Sequence, residues 1–187
     1  MIVMVTGLPG SGKSTLAGLL SARLGLPVLS KDVVKEAVHD SIPTGDRGEV
    51  SRAAAEVIWR LLPGCPEGAV VDMWLDPMRD AGVAVDGLQR AGCLAATVEV
   101  MCSCPGVVAA DRYQRRARSN AHRGADQETL ERIRRSAPLM VPLGAGPALP
   151  VDSTKPFDID SIVRWLDQAR GDRDRPAGRG GRARPGA

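Results

Sequence analysis

Aromatic side chains are scarce in this chain, which has one tyrosine, one phenylalanine and three tryptophans in 187 residues. Proteins that bind single-stranded nucleic acid stack bases on such side chains, so this kind of binding is not favoured. No apolar run is long enough to span a membrane, so we expect no membrane partner. The four cysteines have no paired C-x-x-C spacing, which predicts free thiols in a reducing compartment rather than a zinc site.

An excess of charge of either sign is also lacking in the body of the chain. The formal net charge is +3, and residues 171–187, with five arginines and two aspartates, account for all of it. We therefore predict one domain over residues 1–170, followed by a disordered, basic C-terminal tail over residues 171–187. Contact of this tail with nucleic acid is the alternative.

A glycine-rich motif lies close to the N-terminus. Residues 7–14, GLPGSGKS, fit the pattern G-x-x-x-x-G-K-[ST] and follow the apolar run of residues 2–5, which predicts a short buried strand. Leucines at helical spacing over residues 16–24 predict a helix directly afterwards. Strand, glycine loop and helix are the context of a P-loop, so the sequence predicts binding of a nucleoside triphosphate.

The chemistry of a P-loop assigns roles to the residues of this motif. Backbone N–H groups freed by the glycines surround the phosphates, and the helix N-terminus adds positive potential. We expect Lys13 to reach the phosphates of ATP and Ser14 to hold Mg²⁺. The predicted nucleotide-binding residues are Gly10, Ser11, Gly12, Lys13, Ser14 and Thr15. Because the motif begins almost at Met1, the sequence leaves no room for a signal peptide before it, and we expect a cytoplasmic location.

Segments typical of strands and helices alternate along the chain. Strands are predicted over residues 2–5, 27–30, 69–73, 95–101 and 149–152, and helices over 13–24, 32–40, 46–62, 77–91, 106–118, 126–136 and from about 158 onward. This alternation predicts an α/β fold, a parallel sheet with helices on both faces. Ligands of such sheets bind at the carboxyl ends of the strands, which selects the residues that follow each strand.

Asp32 follows the second predicted strand directly. A kinase that transfers phosphate to a hydroxyl needs a carboxylate to accept or orient the acceptor's proton, and Asp32 is the candidate. An N-cap of the following helix is the alternative role.

Asp72 ends the third strand, where it would hold the Mg²⁺ shell or contact the acceptor, unless its role is structural. Arg79, a little further along, is a second candidate for acceptor binding.

Arginines crowd into residues 111–124, DRYQRRARSNAHRG. Arg112 and Arg116 are predicted to share a helix face at i, i+4, and guanidinium groups suit the spread charge of a triphosphate. Together with Gly124 this density predicts a mobile, arginine-rich lid that closes over ATP. A solvated basic helix face is the alternative. His122 alone does not indicate a catalytic base.

GLPGSGKST, then LSKD, VVDM and CSCP followed by DRYQRRARSNAHRG, resemble the small P-loop kinases that include chloramphenicol phosphotransferase, polynucleotide 5′-kinase and the zeta-toxin kinases. The similarity covers roughly residues 1–170. It implies a three-layer domain resembling nucleoside monophosphate kinases, with a five-stranded parallel sheet in the order 2-3-1-4-5. By this resemblance Asp32 matches the catalytic aspartate, and Arg112 and Arg116 match lid arginines.

The resemblance implies ATP-dependent phosphorylation of a hydroxyl on a small molecule, such as an antibiotic or a nucleoside-like natural product, for inactivation or self-resistance. Three alternatives remain open at this point. The first is a polynucleotide 5′-hydroxyl kinase, which the neutral body and the scarce aromatics disfavour. The second is a sugar-nucleotide kinase of zeta-toxin type. The third is a regulatory nucleotide-binding module without phosphoryl transfer, which would need neither Asp32 nor the arginines.

Overall fold

The computed structural model describes residues 1–42, 46–76, 80, 82–116 and 126–174, with the backbone alone for Arg47 and for residues 172–174. Its strands are β1 (Ile2–Gly7), β2 (Val28–Ser30), β3 (Ala69–Asp72), β4 (Thr97–Ser103) and β5 (Ala148–Asp152). Its helices are α1 (Lys13–Leu24), α2 (Lys31–Ser41), α3 (Arg47–Leu61), α4 (Val83–Arg90), α5 (Gly106–Arg115), α6 (Gln127–Ser136) and α7 (Ile159–Asp174). Single 3₁₀ turns follow α3 and α6 and precede β4.

The five strands form one parallel sheet in the order β2-β3-β1-β4-β5, as predicted. Hydrogen-bonding register places Val5 of β1 beside Asp72 of β3, and Gly7 of β1 beside Cys102 of β4. The carboxyl ends of β1, β3 and β4 therefore meet at one edge of the sheet, where the glycine loop begins.

Three layers enclose the core. Val3, Val5 and Val100 pack on one face of the sheet against α1 and α7. Met4 and Val71 pack on the other face against α3 and α4, and a third cluster joins Leu8 to α5 and α6. Burial of each such side chain contributes about 1.5–3 kcal/mol. Within the described part of the chain, no helix is both long and apolar enough to cross a membrane.

Several predicted boundaries were wrong. The helix expected from residue 77 begins at Val83, and β4 begins at Thr97 because residues 94–96 form a 3₁₀ turn. The helix expected to run to residue 118 ends at Arg115, and Arg116 has an extended backbone with ψ 122°. Helix α7 continues to Asp174, so its last turn covers the first residues assigned to the tail.

Candidate active site

The glycine loop between β1 and α1 has the backbone of a phosphate cradle. Gly10 and Gly12 have φ values of 83° and 94°, in the left-handed region that favours glycine. A Cβ on Gly10 would collide with the Ala109 carbonyl oxygen and lie 2.9 Å from the Tyr113 nitrogen, so the loop lies directly against the backbone of α5. The Ser11 N–H donates to the Leu8 carbonyl at 3.0 Å, which closes the turn. The Ser11 Oγ is buried and has no hydrogen-bond partner within the described residues.

Lys13 and Asp72 lie beneath this loop. Lys13 is the first residue of α1 and is 5% exposed, and Asp72 is 4% exposed. Burial raises the pKa of the nearby Cys102 thiol to about 12, while the charge of Lys13 lowers that pKa and the charge of Asp72 raises it. A cation and a carboxylate therefore lie close to the same buried thiol at the end of β4, and burial favours the protonated form of this thiol.

The side chain of Asp72 is only partly satisfied. Its Oδ2 accepts a hydrogen bond from Ser30 Oγ at 3.2 Å, whereas its Oδ1 is buried with no partner among the described residues. An orphaned buried carboxylate oxygen is costly unless a ligand pairs with it. Together with the half-buried Ser14 hydroxyl, it offers the hard oxygen ligands that Mg²⁺ prefers, with phosphate and water completing the shell. These residues fit a nucleotide-bound Mg²⁺.

Asp32 lies in the first turn of α2. The N-cap position of this helix is occupied by Ser30, which makes no side-chain capping bond, so Asp32 is not the N-cap residue. Asp32 is half-buried and stands two residues after Ser30, whose hydroxyl contacts Asp72. The carboxylates of Asp32 and Asp72 therefore belong to neighbouring strand ends of the same edge.

Arg112 is held beside the glycine loop by contacts that its sequence position does not reveal. Its Nη1 donates to the Ser153 carbonyl oxygen at 3.0 Å, in the segment that follows β5. Ser153 is itself tied to β4, because its N–H and its hydroxyl both donate to the Ser103 carbonyl. A Cβ on Gly12 would lie 3.5 Å from the Phe157 ring. The start of α1, Arg112 and residues 153–157 thus enclose one region next to the phosphate cradle.

The remaining lid residues are only partly described. Arg116 is exposed and lies just beyond the end of α5, so it does not share a helix face with Arg112 as predicted. Arg115 pairs instead with Asp111 at 3.0 Å on the solvent side. Residues 117–125, including His122 and Arg123, lie outside the described residues, and so does Arg79. The predicted lid therefore stays a prediction.

Trp74, in the segment after β3, contacts helices α2 and α6. Lys31 Nζ makes a long contact of 3.5 Å with the Trp74 carbonyl oxygen, and the Arg132 guanidinium of α6 lies 5.2 Å from the centre of the Trp74 ring. Such a cation–π contact joins α6 to the segment after β3. Trp74 Nε1 is buried without a partner in the described structure. The sequence showed Trp74 at a strand end but gave no signal of its contact with Arg132.

Comparisons with known proteins place this architecture in a family. The family model AAA_33, described as an AAA domain, matches residues 2–140. An uncharacterized protein of Mycobacterium tuberculosis (strain ATCC 25618 / H37Rv) is 33% identical over 162 residues, which cover 73% of this chain and 32% of that protein. The adenylate kinase of Syntrophotalea carbinolica is 32% identical over 95 residues, covering 48% of this chain and 41% of the enzyme. The chain thus spans about a third of the length of the mycobacterial relative.

Solved structures have a similar fold. A candidate kinase from Chloroflexus aurantiacus superposes with a TM-score of 0.70 at 28% identity, covering 90% of this chain and 97% of that one. A gluconokinase from Sinorhizobium meliloti (TM-score 0.58, 20% identity, 91% of each chain) and a shikimate kinase from Acinetobacter baumannii (TM-score 0.59, 14% identity, 92% of this chain and 94% of that one) share the fold alone. Since the family model covers most of the chain and the sheet has the kinase order, the chain belongs to the AAA_33 family and has the fold of the small P-loop kinases.

Proposed function

We propose that this protein is a Mg²⁺-dependent kinase that transfers the γ-phosphoryl group of ATP to a hydroxyl of a small molecule. The observation that supports this most strongly is the shared edge of β1, β2 and β3. There a phosphate cradle with a buried lysine, a carboxylate with an orphaned oxygen and a second carboxylate in the first turn of α2 come together. A nucleotide switch without transfer would need no carboxylate at the start of α2.

Each residue of the proposed site has a separate role in the reaction. The N–H groups of residues 10–15 and the Lys13 ammonium bind the β- and γ-phosphates and fix their orientation. Ser14 and Asp72 would hold Mg²⁺, which when bound would offset the negative charge of the phosphates. Asp32 accepts the proton of the acceptor hydroxyl while the oxygen of that hydroxyl attacks the γ-phosphorus and ADP leaves. Asp72 therefore acts on the metal rather than on the acceptor, the first of the two roles that the sequence left open.

Arginines complete the electrostatics of transfer. Arg112, whose Nη1 donates to the Ser153 carbonyl, lies on the helix that packs against the glycine loop, and we assign it to nucleotide binding. Arg116 lies exposed at the end of α5, from where its guanidinium can turn toward the phosphates. A guanidinium that meets charge developing on the leaving β-phosphate lowers the barrier of transfer more than it improves ground-state binding.

Acceptor-dependent formation of ADP, with mass-spectrometric detection of the phosphorylated product, tests this proposal on hydroxylated antibiotics, nucleosides, sugars and oligonucleotides. We expect transfer to a small molecule by the wild type and none by Lys13→Ala, because this substitution removes the positive charge beside the γ-phosphate while the cradle backbone stays. Circular dichroism would check that the variant is folded. Near-wild-type turnover by folded Lys13→Ala would remove the role assigned to the loop.

A further inference from the structure

Ser153 directly follows β5 and joins elements that surround the phosphate cradle. Its N–H and its hydroxyl both donate to the Ser103 carbonyl at the end of β4, at 2.9 and 3.1 Å. Its own carbonyl accepts the 3.0 Å hydrogen bond from Arg112 Nη1 of α5. We propose that Ser153 is a positioning residue that holds the Arg112 guanidinium in place to bind ATP. This inference rests on the proposed function, in which Arg112 binds the nucleotide.

The sequence at the end of β4 explains why the Ser153 carbonyl is available to a side chain. Strands β4 and β5 are parallel, with Ser103 beside Asp152. Since the Ser153 N–H pairs with the Ser103 carbonyl, the next bond of a regular parallel ladder would run from the nitrogen of residue 105 to the Ser153 carbonyl. That residue is Pro105, which has no N–H. The backbone ladder therefore ends there, and Arg112 donates to the carbonyl that the proline leaves without a backbone donor.

Ser153 also lies against the glycine loop. It is 5% exposed, and a Cβ on Gly12 would lie 4.0 Å from the Ser153 Cβ. Gly10, two residues earlier, packs against the backbone of α5 at Ala109, which is about one turn before Arg112. The bond between Arg112 and Ser153 thus links the helix that contacts Gly10 to the residue that contacts Gly12.

A fixed guanidinium binds an anion better than a mobile one. An arginine side chain loses much rotational freedom when it is ordered, and this cost lowers affinity unless the side chain is already held in place. The bond to Ser153 uses one of the five N–H donors of Arg112, and the planar geometry of the guanidinium then fixes the directions of the others. Without the Ser153 hydroxyl, only the backbone N–H would tie this residue to the Ser103 carbonyl. We therefore expect loss of the hydroxyl to loosen Arg112 and to weaken the binding of ATP.

The affinity of Ser153→Ala for a non-hydrolysable ATP analogue, measured by calorimetry on the full chain with Mg²⁺, tests this role. We expect the Kd to rise by about three- to tenfold, the equivalent of one buried hydrogen bond or one ordered side chain. Thr154→Val is the matched control, because it removes the neighbouring hydroxyl, which donates to Asp152 Oδ1 at 2.6 Å on the exposed side of the same segment. This control should keep the Kd within about twofold of wild type.

A double-mutant cycle with Arg112→Ala separates positioning from a purely structural role. If Ser153 acts through Arg112, then Ser153→Ala should change the Kd by less than about twofold once Arg112 is replaced by alanine. A purely structural role would lower the Tm in thermal unfolding but would produce no such coupling in the Kd. Thermal unfolding of all the variants would also confirm that each is folded.

The outcomes separate this inference from the proposed function. Wild-type affinity in folded Ser153→Ala, or an equal loss of affinity with and without Arg112, would overturn the inference and leave the kinase proposal standing. A coupled loss of affinity in a protein that transfers phosphate to no acceptor would support the inference and contradict the kinase proposal. A wild-type protein that does not bind the ATP analogue would contradict both.

Discussion

At the residue scale, one buried carboxylate was missed by sequence reasoning. Glu99 of β4 is fully buried; it accepts hydrogen bonds from Thr6 Oγ1 at 2.6 Å and from the Leu143 N–H at 2.7 Å. Burial raises the pKa of this carboxyl, and the two hydrogen bonds lower it in part. Glu99 thus ties the segment after α6 to the central strands. A single glutamate in an apolar strand gives no sequence signal of its partners 93 and 44 residues away.

The raised pKa of Glu99 makes a prediction about stability and pH. The folded protein keeps this proton at pH values where the unfolded chain has lost it. The group therefore stabilises the fold below the ordinary glutamate pKa of 4.5, and this stability is lost as pH rises through the higher pKa of the folded state. Glu99→Gln imitates the protonated form. Its amide can accept from Leu143 and donate to Thr6.

We therefore expect the Tm of Glu99→Gln to exceed that of the wild type by a few degrees at pH 7.5, and the difference to vanish near pH 4.5. Scanning calorimetry over this pH range measures both. A lower Tm for the variant at every pH would mean that the ionised carboxylate is the stabilising form.

At the scale of elements, the glycine loop and α5 act as one unit. The close approach of Gly10 to Ala109 and Tyr113 leaves no space for a side chain, and the same helix positions Arg112 against the segment after β5. The geometry of the phosphate cradle therefore depends on a helix about a hundred residues away in sequence.

Gly10→Ala should disrupt the packing of the glycine loop against α5. The new Cβ meets α5 backbone and requires φ 83°, so we expect a loss of stability of about 1–3 kcal/mol and a fall in ATP affinity of tenfold or more. Gly18→Ala is the matched control, because Gly18 is an exposed residue of α1 with nothing within 4 Å of the new Cβ. This control should gain about 0.5–1 kcal/mol and bind ATP normally. Denaturant unfolding and calorimetry measure both quantities, and a Gly10→Ala protein indistinguishable from wild type would show that the loop does not depend on α5.

Elements could be predicted from the sequence more reliably than their ends. The strand, glycine loop and helix around Lys13 follow from local pattern, and the sheet order followed from the resemblance that the motifs showed. Arg116 was placed inside α5 because helix-forming residues continue beyond it with no proline or glycine before Gly124. Helix α4 was predicted from residue 77, whereas the hydrogen bond from the Asp76 N–H to Asp80 Oδ2 and the left-handed Gly82 precede its start at Val83. The pairing of Arg112 with Ser153 is a tertiary contact with no local signal.

At the scale of the whole molecule, the excess positive charge lies in a different part of the sequence from the residues of the proposed site. Residues 175–187 hold four arginines and no acidic residue, so residues 1–174 have a formal charge of −1. The proposed active site uses residues between Gly10 and Phe157.

Deletion of residues 175–187 should therefore leave kcat and KM for a small-molecule acceptor within about twofold of wild type, because the deleted segment adds charge but no residue of the site. The measurement is steady-state kinetics of both chains over a series of salt concentrations. If the deletion abolished activity on an oligonucleotide, with a steep salt dependence in the full chain, the polynucleotide 5′-kinase alternative would gain support.

The central claim is that phosphoryl transfer takes place between the cradle and the first turn of α2, with Asp32 accepting the proton of the acceptor. The most direct test is the kcat of Asp32→Asn measured alongside its affinity for ATP. The isosteric amide keeps the size of the side chain and loses its basicity, so we predict a fall in kcat of about 10²–10⁴-fold with the Kd for ATP nearly unchanged. A folded Asp32→Asn protein with wild-type kcat would contradict the account.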